Sequence, residues 1–278
     1  MILYGDVVAQ RLIEKAKCEN NHGKLIIIGN KQDIASTVYI KNKIKKCEEC
    51  GIEHSEIYPN ESFRTEDYIK LIDKINNDDS VSGLIVQLPL PKGVDTASVV
   101  RAIDQSKDVD GFTKDALFAP CTPSGIMHLL DYYYDKDFCL GKNAVVIGRS
   151  EIVGKPMAQL LLDKNATVTI CHSKTKDLKE YTKNADIIVC AVGKPNTITK
   201  DMVKKGCTII DVGINRVNGK LCGDCDFENL KDFCDITPVP KGVGPLTVAT
   251  LVERVAYLSQ KENTLSSIKS NKELERDI

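Results

Sequence analysis

Several things are missing from this sequence. There is no charge excess: 38 lysines and arginines face 39 acidic residues, a formal net charge of −1 over 278 residues. A chain built to coat nucleic acid or an anionic membrane would carry a clear positive surplus. Long apolar runs are missing too, because stretches such as Leu25-Ile26-Ile27-Ile28 are far too short to cross a bilayer. The opening, Met1-Ile2-Leu3-Tyr4-Gly5-Asp6, lacks a basic start followed by an apolar core. No secretory leader is expected, and the expected location is the cytoplasm. No internal repeat of solenoid length is present. The cysteines number 11, and an odd, scattered set without a leader suits reduced thiols better than a disulfide framework. Cys47/Cys50 and Cys222/Cys225 have metal-like spacing, with Cys234 not far from the second pair. The first pair sits in a helical pattern and the second beside a strand, so they read as small buried hydrophobes and no metal is expected.

What is present is an alternation of short apolar runs with helix-length amphipathic segments, the pattern of βαβ units and a mostly parallel sheet. In the first half, strands are expected at residues 24–29, ending at 57–58, and at 82–88, where Pro89 and Pro91 stop the run. Helices are expected at 35–50 and 66–77. In the second half, strands are expected at 144–148, 167–171, 187–192 and 208–212, with helices at 154–162 and 178–184. Pro120 and Pro123 flank a turn ahead of a helix at 125–134, which places a domain boundary there. The fold class is α/β, with an N-terminal α/β catalytic domain at 1–118 and a C-terminal Rossmann-like domain at 119–278. A last helix at about 247–258 could pack back on the first domain. The polar tail from Ser259 reads as poorly ordered or as a loose helix.

The stretch VVIGRSEIVGKP, residues 145–156, runs a strand through a glycine turn into a helix, where amides and the helix N-terminus attract phosphate. Gly148 and Gly154 are one residue further apart than the outer glycines of G-x-G-x-x-G, so that fingerprint does not hold. A turn that simply needs glycine would look the same. The next strand separates two cofactors. An NAD site places Asp or Glu at its end for the ribose 2′-hydroxyl, whereas CHSKT, residues 171–175, has no carboxylate. Arg149, Ser173 and Lys174 supply donors that suit a 2′-phosphate, which favours NADP. The candidate cofactor residues of this region are Gly148, Arg149, Ser150 and Ser173.

Further blocks complete a pattern: STVYIKNK (36–43), VQLPLP (86–91), KDVDGF (107–112), PCTP (120–123), DVGIN (211–215) and TPVPKGVGP (237–245). Together with the Gly148 turn and CHSKT, and in this order, they make the chain resemble the bifunctional methylenetetrahydrofolate dehydrogenase/methenyltetrahydrofolate cyclohydrolase family from Tyr4 to about Leu258. The resemblance implies NADP-dependent oxidation of methylenetetrahydrofolate, then hydrolysis of methenyltetrahydrofolate to the formyl form, in one-carbon metabolism leading to purine biosynthesis. It also implies an active site in a cleft between the domains and a homodimer, with tetrahydrofolate derivatives as partners and no nucleic acid or membrane.

The resemblance makes Lys43 the lysine of the cyclohydrolase step. Tyr39 lies four residues earlier and so on the same helix face; without the resemblance, Lys43 would read as one of several lysines on a solvated face. Gln87 matches the glutamine that hydrogen-bonds and tunes that lysine, although a polar residue ending a strand before Pro89 fits as well. Asp110 matches the aspartate that grips the pterin's amino group and ring N–H with two parallel hydrogen bonds. Asp108 reads as a turn residue, but the residues alone do not choose between the two. Ile214, with Gly213, falls at the nicotinamide end. Residues 242–245 are expected to form a loop against the ligand, with Gly244 and Pro245 as substrate contacts. The dehydrogenase step needs orientation more than acid or base. Three departures stand out: a short 113–119 segment, a first helix (8–18) that looks abbreviated, and Lys241 where the family usually has glycine. The rival readings are another NADP-dependent dehydrogenase and a catalytically silent dinucleotide-binding module.

Overall fold

The computed structural model describes residues 1–18 and 23–274. Its elements run α1 (Gly5–Cys18), β1 (Lys24–Ile28), α2 (Ile34–Glu49), β2 (Glu53–Ile57), α3 (Thr65–Asn76), β3 (Gly83–Val86), α4 (Thr96–Arg101) and α5 (Cys121–Tyr133). Then follow β4 (Asn143–Ile147), α6 (Gly154–Asp163), β5 (Thr167–Cys171), α7 (Leu178–Thr182), β6 (Ile187–Cys190) and β7 (Thr208–Asp211). The chain finishes with β8 (Asn215–Val217), β9 (Lys220–Cys222), α8 (Phe227–Leu230), β10 (Asp235–Ile236) and α9 (Val243–Leu274).

Two compact units result. One holds Met1–Gln10 and Ala119–Thr250, the other Arg11–Phe118 and the chain from Leu251 onward. A single cut after residue 118 therefore does not separate these bodies. The first residues join the later half because Leu3 N donates to Ile236 O at 2.9 Å and Ile2 bridges Ile236, which extends the edge at β10.

The unit that holds residues 11–118 is built on a parallel sheet in the order β2-β1-β3. All of β3 is buried, so its sequence is an unbroken apolar run rather than an alternation. One sheet face packs Ile26, Ile28, Leu84 and Val86 against Tyr68, Ile72 and Ile75 of α3. Each such side chain contributes roughly 2 kcal/mol on burial. Leu84 N donates to Lys107 O at 2.8 Å, laying residues 107–109 beside β3. The Lys107 ammonium then caps the end of α3, donating to the carbonyls of Ile75 (3.0 Å), Asn76 (2.8 Å) and Asp78 (2.6 Å). These two anchors hold the segment that carries Asp108 and Asp110.

The other unit carries a five-stranded parallel sheet in the order β10-β7-β6-β4-β5. The strand order reverses between β4 and β6, and ligands of open α/β sheets bind at the carboxyl ends of the strands at such a switch. Gly148 follows β4 there with φ +123°, and a Cβ on it would run into the Ala191 carbonyl just past β6. Glycine is required at this position by both conformation and contact.

Several expected boundaries move. α5 begins at Cys121 rather than 125, since Pro123 sits in the first turn, where its missing N–H is no loss. α1 begins at Gly5, earlier than residue 8, because Gly5 N and Asp6 N donate to Lys241 O at 2.8 and 3.2 Å. α9 begins at Val243, so residues 243–245 are its first turn and not a loop. The helix continues past Ser259 to Leu274, and residues 275–278 lie outside the described residues. α4, α8 and the β8–β9 hairpin are elements that the apolar pattern did not mark.

Candidate active site

α2 starts on Asp33, whose carboxylate accepts from Ser36 N at 2.6 Å. Its buried stripe runs through Ser36, Ile40, Lys43 and Cys47, spaced four, three and four residues apart, as one helix face requires. Lys43 is thus a core position, only 4 % exposed, while Lys41 and Lys45 stand in solvent. Its Nζ lies 3.6 Å from Oδ2 of Asp110, which is buried as well. Tyr39 is half-buried, and burial pushes its phenol up, so it stays protonated. Burial and then Cys50 push the Cys47 thiol up to about 12, which leaves it an inert packing group.

Gln87 is the first residue beyond β3, and its N–H donates to Ile28 O at 2.9 Å. Its Nε2 donates to Leu88 O at 3.1 Å, while Oε1 is buried and has no hydrogen-bond partner. The expected hydrogen bond to Lys43 is therefore not formed here, since Oε1 is the atom that would accept it. A buried acceptor left this way costs roughly 1–3 kcal/mol.

The two aspartates have separate surroundings. Asp108 accepts from Gly111 N at 2.8 Å on one oxygen and from Thr113 N at 2.7 Å on the other, so its carboxylate is occupied by its own turn. Asp110 makes no hydrogen bond among the described residues, and Lys43 is the cation facing it. The carbonyl before it, Val109 O, accepts from Nη1 of Arg254 at 2.9 Å, and that guanidinium lies 4.8 Å from the Phe118 ring centroid. Backbone, cation and ring together fix the turn that presents Asp110.

The dinucleotide residues lie in the other unit. Arg149 and Ser150 follow Gly148 and are exposed; the Ser150 hydroxyl accepts from Val153 N and Gly154 N, both at 3.2 Å, and caps the start of α6. Gly148 N donates to Cys171 O at 2.9 Å, so Arg149 and the exposed Ser173 and Lys174 extend from adjacent strand ends. His172 knits that end: its N–H donates to Thr175 Oγ1 at 2.9 Å, and its Nδ1 accepts from Lys174 N at 3.2 Å. Ile214 is 53 % exposed at the end of β7. Gly244 and Pro245 lie in the first turn of α9 in this unit, whereas Tyr39, Lys43, Gln87 and Asp110 lie in the other. Among the described residues, no cluster of three His, Cys, Asp or Glu side chains could hold a metal ion.

A glycine required at the switch-point turn, exposed cationic donors and no carboxylate in residues 171–175 fit a phosphorylated dinucleotide. Joined in one chain to a second parallel-sheet unit with a buried lysine–aspartate pair, they define a two-unit α/β enzyme that uses a nicotinamide dinucleotide. Two family models match the chain: "Tetrahydrofolate dehydrogenase/cyclohydrolase, catalytic domain" over residues 4–110, and "Tetrahydrofolate dehydrogenase/cyclohydrolase, NAD(P)-binding domain" over residues 120–263. The chain belongs to the tetrahydrofolate dehydrogenase/cyclohydrolase family. It is 47% identical over 270 residues to the "Bifunctional protein FolD" of Methanoculleus marisnigri, covering 91% of this chain and 94% of that one. The FolD methylenetetrahydrofolate dehydrogenase/cyclohydrolase structure from Campylobacter jejuni aligns with a TM-score of 0.91 at 42% identity, over 94% of this chain and 99% of that one. The Trypanosoma brucei enzyme complexed with NADP cofactor and inhibitor aligns at 0.87 and 28% identity, over 94% and 97%.

Sequence reasoning passed over Arg254, Lys107 as an anchor, and two buried carboxylates, Asp211 and Asp224, which are 2 % and 0 % exposed. Asp224 stands between Gly223 and Cys225 in a stretch read only for its cysteines.

Proposed function

We propose that this chain oxidises methylenetetrahydrofolate to methenyltetrahydrofolate with NADP and hydrolyses the methenyl product to formyltetrahydrofolate. The observation that supports this most directly is the buried Lys43–Asp110 pair, 3.6 Å apart, in the same unit as the unpartnered Gln87 Oε1. Asp110 takes the pterin's amino group and ring N–H as two parallel hydrogen bonds. Engaging the pterin draws Asp110 away from Lys43, whose ammonium then assists as water adds to the methenyl carbon, the new hydroxyl gives up its proton and one C–N bond opens. Tyr39, held as a neutral phenol by burial, orients that lysine and the water through its hydroxyl. Gln87 Oε1 accepts from the folate or from Lys43 once the pair opens.

NADP, when bound, accepts the hydrogen and electron pair removed from the methylene carbon; the flanking folate nitrogens stabilise the resulting cation, so this step asks no acid or base of the protein. Gly148, Arg149, Ser150 and Ser173 would hold the phosphates and Ile214 would back the nicotinamide; the resemblance alone assigns Gly244 and Pro245 to the folate. On the family resemblance we also assign a homodimer working in the cytoplasm, with the formyl product entering purine biosynthesis. Mixing the protein with methylenetetrahydrofolate and NADP tests the reading, because NADPH and the methenyl product absorb differently. Both signals are expected to grow, the methenyl band then decaying; a flat spectrum at both wavelengths refutes it.

A further inference from the structure

Two buried carboxylates stand behind the switch point in the cofactor unit. Asp224 Oδ2 accepts from Val192 N at 2.7 Å and Gly193 N at 3.0 Å, and its Oδ1 accepts from Asn215 Nδ2 at 2.8 Å. Asp211 Oδ1 accepts from Gly213 N at 3.0 Å and Asp224 N at 2.8 Å, and its Oδ2 accepts from Cys225 N at 2.8 Å. The loops after β6, β7 and β9 are thereby tied to one another. Packing leaves no slack, since a Cβ on Gly213 would overlap the Asp224 carboxylate and one on Gly223 that of Asp211. Among the described residues, neither carboxylate has a cation in ion-pair range.

Two adjoining buried anions are an expensive way to satisfy a few amides. Their position explains the choice. The loop held by Asp224 begins after Ala191, whose carbonyl abuts Gly148, and it carries Val192, 40 % exposed. The loop held by Asp211 carries Ile214, 53 % exposed. Apolar side chains thus face outward at the strand ends on the β6/β7 side of the switch. The donors for a 2′-phosphate stand on the β4/β5 side. In a doubly wound sheet the two halves of a dinucleotide lie on opposite sides of that switch.

We infer that Asp211 and Asp224 are positioning residues for the nicotinamide half of the dinucleotide, holding Val192 and Ile214 as a rigid apolar platform. This rests on the reading of the cofactor as NADP. Burial, and with it the Asp224 charge, push the Asp211 carboxyl up to about 6 in spite of the amides that lower it. The other titratable groups facing it are Cys190 and Cys225. Cys225 is raised by its hydrogen bond with Cys190 and by burial, Cys190 is raised as well, and both remain thiols. The folded site therefore takes up a proton more readily than an exposed carboxyl would, so this group favours the folded arrangement as pH falls through about 6 and opposes it as pH rises.

Calorimetric titration with NADP and with 2′,5′-ADP, which has the same 2′-phosphate but no nicotinamide, separates the halves. Asp224→Asn should weaken NADP about tenfold, the loss of one charge-assisted hydrogen bond. It should leave 2′,5′-ADP binding and NADP-free methenyl hydrolysis within about twofold of wild type. Equal weakening of both ligands, or no weakening of either, overturns the inference. Should that variant fail to fold, Asn215→Ala, which removes the donor to Asp224 Oδ1, decides: the ratio of NADP to 2′,5′-ADP affinity should fall about threefold against wild type. An unchanged ratio refutes the platform. Wild type that binds 2′,5′-ADP and NADP equally also refutes it, whereas wild type that binds neither refutes the NADP reading instead.

Discussion

Lys43 is a buried cation whose cost is met by one carboxylate, and that dependence makes it informative. Lys43→Met keeps the length of the side chain and removes the charge. Methenyl hydrolysis should fall by about a hundredfold or more, the range of acid–base assistance, with NADP affinity unchanged. Hydrolysis at the wild-type rate would take Lys43 out of the mechanism. A melting curve belongs beside this measurement, because the variant leaves Asp110 buried without its cation. The residue was only half legible. Four lysines between 41 and 46 look like a solvated face, and the resemblance alone singled one out. The spacing of Ser36, Ile40 and Cys47 would have placed Lys43 on the buried stripe by helix period. The Asp108/Asp110 choice had no such signal, because it depends on which carboxylate the backbone of its own turn occupies.

Among the elements, α1 and α9 meet through an unusual residue. Lys241 adopts φ +80°, a conformation that favours glycine, and its carbonyl accepts from the first amides of α1. The left-handed backbone costs an L residue about 1 kcal/mol, partly offset by the extra freedom glycine has when unfolded. Lys241→Gly should raise Tm by about 2 °C at most and never lower it; a lower Tm in a thermal scan would mean the lysine side chain itself contributes. Long periodic elements were legible, and β5 was expected at its observed ends. The β8–β9 hairpin was readable but unread: Asn218-Gly219, with φ +49° and +79°, is the pair a tight two-residue hairpin demands. Its strands are too short and too exposed to register as apolar runs. The starts of α1, α5 and α9 were misplaced because Gly or Pro in their first turns read as loop, whereas α6 starts at Gly154 as expected.

For the whole molecule, cofactor choice summarises the charge distribution. With Arg149, Ser173 and Lys174 exposed at adjacent strand ends and no carboxylate among them, NAD should bind about ten- to a hundredfold more weakly than NADP, as one or two lost charge-assisted contacts require. Arg149→Ala should close most of that gap. Equal use of both nucleotides by the wild type, measured as kcat/KM, would overturn the 2′-phosphate assignment. The two-part α/β plan was legible because parallel strands are near-continuous apolar runs. Which terminal segment joins which body was not, as it is decided by contacts between residues more than a hundred positions apart.

The crossing of the chain inside α1, after Phe118 and inside α9 has a practical sequel for anyone splitting the gene. A fragment ending at Phe118 would lose Arg254, which holds Val109, along with Glu253, whose carboxylate lies 2.8 Å from the Lys15 ammonium. A fragment starting at Ala119 would lose Leu3 from the edge beside Ile236 and the terminal ammonium that sits 2.7 Å from Asp235. Each piece would be an incomplete body, so the two activities are inherited together or lost together.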